Sequence, residues 1–425
     1  MPDRIVVGIS GGVDSALAAA LLQERGFDVL GCYLKVVIPD APCPWKEDLP
    51  MAHRVAAHLN VPLIVKDIST EYKREVLEPM IDAYRAGDTP NPDILCNRWV
   101  KFDALLAVAR EIGADRIATG HYARICSGRA LFPSADDRAN KRGLTLYATG
   151  SDPVYLLRGL DHSKDQSYFL ATLTQEQLAA CEFPLGEWQK EDVRAEAKRR
   201  GLPNWDRHST SGVCFLGHTD IATFLASRSA ATPATVVTTT GDIVGTVPAG
   251  EALTIGQRAP IAGQSTPRYV VARDCPKPSF GQSHRVVVSA APDDPARFVQ
   301  TFTTTAPHWI NDPPPPNRGG AGGGAGLRCT VRIRHRQEPV PCTVFLPSSF
   351  RPSASNERVE KSPGDCRRSL DCAPAGRSAR DDEHMSALRV TLSTPLTGVA
   401  PGQAAVFTDG DRILGAATID ASGVS

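Results

Sequence analysis

The amino-acid sequence predicts an α/β fold, with a parallel sheet in its N-terminal half and β-rich modules behind it. Three observations carry that reading. A β-branched run, Arg4–Ile9, passes through a glycine-bearing turn into an Ala/Leu-rich helix. Short apolar runs then alternate with helical ones as far as Thr119. Beyond about residue 218 the texture changes to short strands separated by turns. Alternating strands and helices imply a parallel sheet covered on both faces, whereas short, turn-punctuated strands imply one or two small β domains.

In order along the chain, Arg4–Ile9 reads as a buried parallel strand and Ala16–Arg25 as a helix stopped by Gly26. Val29–Val37 is the next apolar run, His53–Leu59 a helix and Pro62–Val65 a strand. Trp99–Ile112 has helical period, and Arg116–Thr119 is a short strand ending at Gly120-His121. The β-like runs after the change of texture are Ala234–Val247, Arg268–Ala272, Val286–Val288, Cys329–Ile333, Cys342–Phe345, Leu388–Leu392 and Ala404–Phe407. Asn311–Gly326 joins a four-proline run to a glycine-rich run and reads as a linker or loop. Ser348–Ser386 is too poor in apolar residues to offset its ordering entropy and reads as an insertion in the last β domain. Deleting Arg351–Asp382 is expected to leave activity nearly intact; loss of folding on deletion, read by circular dichroism, would show the segment to be structural.

Lys plus Arg and Asp plus Glu each number 47 in 425 residues, which argues against a non-specific, charge-driven nucleic-acid binder. Local basic patches remain, as at Arg332, Arg334 and Arg336. No stretch approaches the ~20 apolar residues of a membrane span, and no secretory signal precedes the first strand. The expectation is an intracellular, monomeric protein, cytoplasmic or alternatively in a mitochondrial or plastid matrix. The eleven cysteines are scattered without a Cys-x-x-Cys pair, a poor disulfide framework and a poor zinc site, so no metal site is expected from them.

The turn after the first strand is GISGGVDS: Gly8, Ile9, Ser10, Gly11, Gly12, Val13, Asp14 and Ser15. Gly11 and Gly12 let backbone approach a ligand, and Asp14 or Ser15 can cap the helix that follows. The loop would aim N–H groups and the positive helix end at an anion. No Lys follows, so it is not the phosphate loop of kinases and GTPases.

Two cysteines stand in polar turns. Cys96 lies in NPDILCN, beside the start of the helix near Trp99, where a helix dipole can lower a thiol pKa. Cys214 lies in STSGVCFLG, a Ser/Thr/Gly loop able to carry it between two positions. Taken singly, each reads first as one more buried cysteine.

SGGVDS resembles the signature of the PP-loop ATP pyrophosphatases, whose N-terminal domain has an adenine nucleotide α-hydrolase-like fold. The further strings NPDILCN-x-x-x-KF, ATGHY, KDQSYFL, SGVCFLG, LTIGQR, RYVV, CTVRIRHRQ and PGQAAVF resemble, in order and over nearly the whole chain, the tRNA-specific 2-thiouridylase family. That resemblance implies a catalytic domain over residues 1–217, a small β-rich domain over 218–290 and a C-terminal β-barrel-like, tRNA-binding domain over 291–425. It implies that Gly8–Ser15, Leu34 and Gly120 bind ATP with Mg2+, that Cys96 is the nucleophile and that Cys214 carries a persulfide received from a donor protein. It also implies contacts of Asn91, Pro92 and Asp93 with the target uridine in the tRNA anticodon region. His121, Lys164, Asp165, Gln166, Arg334, His335 and Gln403 are its remaining tRNA contacts. The bland alternatives are a packed histidine for His121, a solvated turn for Lys164–Gln166 and a turn residue for Gln403. Two departures stand out: His335 replaces the family's usual tyrosine, and Ser-Thr-Ser-Gly-Val-Cys replaces its usual Asp-Ser-Thr-Gly-Ile-Cys. Competing readings are another PP-loop tRNA-modifying enzyme or a non-catalytic tRNA-binding relative. The 2-thiocytidine type normally shows a Cys-x-x-Cys pair that this chain lacks.

Overall fold

The computed structural model describes residues 3–39, 44–127, 153–207, 221–227, 233–274, 284–291, 293–311, 326–346 and 387–423. Cys214 and the insertion at 348–386 lie outside the described residues, as does nearly all of 311–326.

The first sheet is parallel throughout, in the order β3-β2-β1-β4-β7. Its strands are β1 (Arg4–Gly8), β2 (Asp28–Lys35), β3 (Leu63–Asp67), β4 (Arg116–Ala118) and β7 (Cys181–Glu182). Successive side chains of β1 point to opposite faces, and both faces are buried. Ile5 and Val7 pack with α1 (Val13–Glu24), α2 (Trp45–Leu59) and a later helix, Lys190–Arg199. Val6 packs on the other face against Phe102, Leu105 and Ala109 of α6 (Phe102–Glu111). Each such buried aliphatic side chain contributes about 1.5–3 kcal/mol, and β1 thereby becomes the fixed floor beneath the glycine turn. α2 begins at Trp45, eight residues before the expected start at His53, and carries Pro50 within it. The proline reads as a stop in sequence, but Val55 and Ala56 are buried and hold the helix against the sheet.

The second sheet is small and mixed, in the order β10-β11-β8-β9. It joins β8 (Ala234–Thr238), β9 (Ile243–Val247), β10 (Tyr269–Asp274) and β11 (His284–Ser289), with β11 parallel to β8 and the other pairs antiparallel. The third is an antiparallel barrel of β12 (Phe298–Thr304), β14 (Gly326–Arg332), β15 (Val340–Phe345), β16 (Leu388–Thr397), β17 (Ala404–Asp409) and β18 (Arg412–Gly423). Pairing of β12 with β18 closes the ring and leaves no edge between them. A short β13 (His308–Trp309) adds to β18.

The N-terminal half is not purely parallel. A hairpin of β5 (Ala123–Ser127) and β6 (Val154–Arg158) leaves the first sheet and pairs with β18 of the barrel through Leu157 and Arg412. Arg124 and the Arg158 N–H reinforce the seam by donating to the Asp411 carboxylate and carbonyl, at 2.8 and 2.9 Å. Tertiary pairing of this kind leaves no mark in local periodicity. Among the described residues, no helix is long and apolar enough to cross a membrane.

Candidate functional site

The glycine turn sits at the carboxyl edge of the first sheet, where open α/β sheets bind ligands. Leu34 lies two residues beyond Cys32, the β2 partner of Gly8, so it flanks the turn on one side. Gly120 lies two residues beyond Ala118, the β4 partner of Val7, and flanks it on the other. A Cβ on Gly120 would stand 2.7 Å from the Asp14 carbonyl carbon and the Ser15 nitrogen, so this position admits no side chain. Gly11 adopts φ +84°, a conformation other residues rarely take.

The cap of α1 differs from expectation. Its N-cap is Gly12, with no side-chain cap, so the first-turn N–H groups have no intrahelical partner. Ser15 instead braces the turn, accepting from the Ser10 N–H at 3.1 Å and donating to the Gly12 carbonyl at 3.0 Å. Asp14 accepts from the Tyr122 hydroxyl at 2.8 Å and from Lys190 Nζ at 2.5 Å. Burial and the Asp14 charge raise the Tyr122 phenol, so it remains the donor. From the far side, Asn204 Nδ2 and Arg207 donate to the Gly11 carbonyl at 2.9 and 3.2 Å, and Arg207 also binds Asp48 at 2.5 Å. The result is a rigid cradle: an uncapped twelve-residue helix, donors converging on one side and space kept by glycines. Backbone N–H groups left free at a helix start are the kind that meet an anion.

Cys96 does not flank a helix start. The helix begins at Pro92, capped by Asn91, whose Oδ1 accepts from the Asp93 and Ile94 N–H groups at 3.2 Å. Cys96 is thus the fifth helical residue, and the chain runs on through a π-helical stretch, Asn97–Lys101, into α6. Such π turns recur at functional sites because they re-aim side chains. Cys96 is 2% exposed and lies in an apolar cluster with Tyr72, Met80, Val100, Phe224 and Leu225.

His121 is a packed histidine. Its ring stacks on Phe102 at 5.9 Å and meets Phe183 edge-on, while Nδ1 lies 2.7 Å from Thr119 Oγ1. Burial, aided by the nearby Lys101, lowers its pKa to about 3, so it is neutral at pH 7.

Lys164 closes a half-buried turn, but Asp165 and Gln166 are not part of a solvated one. The Lys164 N–H donates to the Asp161 carbonyl, and Gln166 bonds the Tyr122 backbone in both directions, at 2.9 and 3.0 Å. Asp165 is buried at 2% exposure and accepts from Arg332 at 2.8 Å, Arg158 at 3.3 Å and the Gly159 and Ser167 N–H groups at 3.1 Å. Its burial would raise the carboxyl, but Arg332 and the hydrogen bonds outweigh that and hold it below the ordinary carboxylate value. The sequence assigned Asp165 to the tRNA; its carboxylate is instead committed to the joint between the first domain and the barrel.

Arg332→Met is therefore expected to cost about 3–5 kcal/mol, because it strands a buried charge. Urea denaturation at pH 7 checks this. The folded carboxyl of Asp165 titrates below its unfolded value. Its stabilisation is accordingly present above the unfolded pKa, near 3.9, and is lost as pH falls through the folded one. The variant's deficit against wild type should narrow in acid.

His335 Nε2 contacts the Asp165 carbonyl at 2.7 Å, and its ring lies 4.5 Å from that of Phe169. Burial lowers its pKa. Arg334 is exposed yet donates to the Ile255 carbonyl of the central domain at 2.8 Å and to the Gly398 carbonyl at 3.3 Å. The Gln403 side chain keeps a buried oxygen without a hydrogen-bond partner among the described residues. Beside it the three domains converge on the segment leading to Asn91. Thr89 N–H donates to the Pro401 carbonyl at 2.7 Å, and Arg273 reaches the Gly87 carbonyl at 2.6 Å and Thr89 Oγ1 at 3.0 Å. Arg273, Lys190, Tyr122, Asn204 and Arg207 were not singled out from sequence, and Arg332 stood there only as part of a basic patch. Each acts on a partner more than a hundred residues away, which no local pattern signals.

Comparison with known proteins agrees with this layout. Residues 3–218 match the family described as the tRNA methyl transferase HUP domain. Residues 299–349 and 375–419 match the aminomethyltransferase beta-barrel domain. The chain is 33% identical over 427 residues to the tRNA-specific 2-thiouridylase MnmA of Psychromonas ingrahamii, covering 98% of this chain and 97% of that protein. It is 34% identical over 422 residues to that of Bacillus licheniformis, covering 98% and 95%. A solved 4-thiouridine synthetase–RNA complex with bound ATP aligns at 17% identity and TM-score 0.27, over 52% of this chain and 47% of that one, too slight a likeness to carry an argument. With its glycine turn at the carboxyl edge of a parallel sheet, its closed C-terminal barrel and 33–34% identity to these relatives over 98% of its length, the chain belongs to the tRNA-specific 2-thiouridylase family.

Proposed function

We propose that this protein uses ATP to replace O2 of a tRNA wobble uridine with sulfur, through Cys96 and a persulfide on Cys214. One observation supports it above others. Cys214 is flanked in sequence by Arg207, which donates to the Gly11 carbonyl of the glycine turn, and by the helix Ile221–Ser227. That helix packs Phe224 and Leu225 into the cluster around Cys96. Cys214 is seven residues from either anchor, a span of at most about 25 Å when extended. One anchor touches the glycine turn and the other packs beside Cys96, which supports the joining of those two groups in this reading.

Uracil O2 is a poor leaving group. Its attack on the α-phosphate of ATP forms an O–P bond and expels pyrophosphate, so that O2 can later depart with AMP. The loop's backbone donors would hold the departing pyrophosphate. Mg2+, held by Asp14, would supply counter-charge there. The Cys96 thiolate then attacks the inner sulfur of the Cys214 persulfide. The S–S bond to the terminal sulfur breaks, hydrosulfide leaves, and Cys96 and Cys214 become a disulfide. Hydrosulfide adds to C2 and AMP departs. A dithiol reductant resets the pair with two electrons, which suits a reducing compartment such as the cytoplasm. The uridine must be splayed from the anticodon stack, at a cost of roughly a few kcal/mol. The junction of Asn91, Thr89, Arg273 and Gln403 is the surface we assign to it.

The test is tRNA-dependent AMP release together with nucleoside mass spectrometry of the product tRNA. Formation of 2-thiouridine with stoichiometric AMP is expected. AMP release without tRNA dependence, or thiolation without ATP, would overturn the reading.

A further inference from the structure

The phosphate loop lacks the lysine that nucleotide-binding loops of the kinase type carry next to their glycines. The fold supplies one from elsewhere. Lys190 opens the helix Lys190–Arg199, whose Val193 and Ala197 are buried against α1 and fix its start beside the loop. The Asp161 carboxylate accepts the Lys190 N–H at 3.0 Å and pins that end. From there the side chain runs over the Tyr122 ring, 5.5 Å from its centroid, to Asp14 Oδ1 at 2.5 Å. The lysine side chain is 11% exposed and the aspartate 29%, so the pair opens to solvent at the Asp14 end.

We propose that Lys190 is a phosphate-binding residue of the adenylation step, held in store by Asp14 until nucleotide arrives. Three points carry this beyond a structural ion pair. A largely buried salt bridge contributes little net stability, so the pair calls for another reason. Tyr122 already donates to Asp14 Oδ1, so the carboxylate keeps a partner when the ammonium leaves. Asp14 and Ser15 form the first turn of α1, the end at which an anion binds, so a lysine reaching Asp14 reaches the anion's own surroundings. The ammonium has three donors and gives one of them to Asp14. A cation arriving at Asp14 competes with Lys190 for one carboxylate, and the displaced ammonium finds its counter-charge in the phosphates.

This inference rests on the ATP-dependent reading above, and the experiment separates their failures. Lys190→Met keeps the apolar stem and removes the charge; Lys190→Arg keeps the charge. Lys190→Met is expected to lower tRNA-dependent AMP release about 100-fold, the scale of one lost transition-state donor. It should also weaken equilibrium binding of a non-hydrolysable ATP analogue about tenfold by calorimetry, with Lys190→Arg within a few-fold of wild type. At the same time, half-saturation by Mg2+ should fall to lower concentration in Lys190→Met, since the competing ammonium is gone. A merely structural lysine predicts the opposite shift or none. Wild-type AMP release in Lys190→Met, or an unchanged or higher Mg2+ requirement, would overturn the proposal. If wild type itself releases no AMP with tRNA, it is the underlying reading that falls. Lys190→Gln, read in the same assays, replaces Lys190→Met if circular dichroism shows that variant unfolded.

Discussion

Cys96→Ser is expected to abolish 2-thiouridine formation, by at least about 1,000-fold, as loss of a nucleophile does, while binding of ATP survives. The separation follows from where the thiol sits. Cys96 belongs to the apolar cluster shared with the helices Glu78–Arg85 and Ile221–Ser227. The glycine turn is braced by other residues, Asp14, Asn204 and Arg207, and kept open by Gly120. Serine in that cluster can satisfy its hydroxyl on a carbonyl one turn earlier, so folding should suffer by about 1–3 kcal/mol at most. Uridine adenylation should continue, and AMP should stay on the tRNA because no sulfur displaces it. Mass spectrometry of the tRNA nucleosides checks the first half and calorimetry with an ATP analogue the second. Thiolation at the wild-type rate would remove Cys96 from the mechanism.

Gly120→Val acts on the opposite half. Its Cβ would meet the Asp14 and Ser15 backbone at 2.7 Å, and backbone cannot rotate away as a side chain can. Either the start of α1 or the end of β4 must shift. We expect about 1–3 kcal/mol of overpacking cost and a fall of about 100-fold in AMP formation, because donors aimed within a few tenths of an ångström lose their alignment. Rate measurements at saturating tRNA, with thermal unfolding in parallel, test this. A variant that unfolds a few degrees lower yet releases AMP at the wild-type rate would show that the turn tolerates displacement.

The parallel sheet was readable chiefly from β1, whose Ile5, Val6 and Val7 are fully buried; the edge strand β3 is only partly buried, and β7 is two residues, Cys181–Glu182, with no apolar run to mark it. The glycine turn was readable because its requirements are local: positive φ, close approach and a helix start within eight residues. The helix carrying Cys96 was read as starting near Trp99. The Asn91 cap and Pro92 begin it earlier, and the π turn at Asn97–Lys101 interrupts the period that marks a helix. The roles of Asp165 and Lys190 were hidden for a different reason. A charged residue looks solvated in sequence, and only folding shows that Arg332 and Asp14 wait for them 167 and 176 residues away. The β5–β6 hairpin was likewise silent, because which sheet a strand joins depends on partners and not on its own residues.

That hairpin bears on how the enzyme spends nucleotide. β5 starts at Ala123, three residues after Gly120, and the sheet it enters is the wall of the barrel. On the function proposed above, tRNA seated so as to strain the barrel would be felt at the glycine turn through a very short lever. An enzyme wired in this way would idle without its RNA and fire once the RNA is seated, sparing the cell futile hydrolysis.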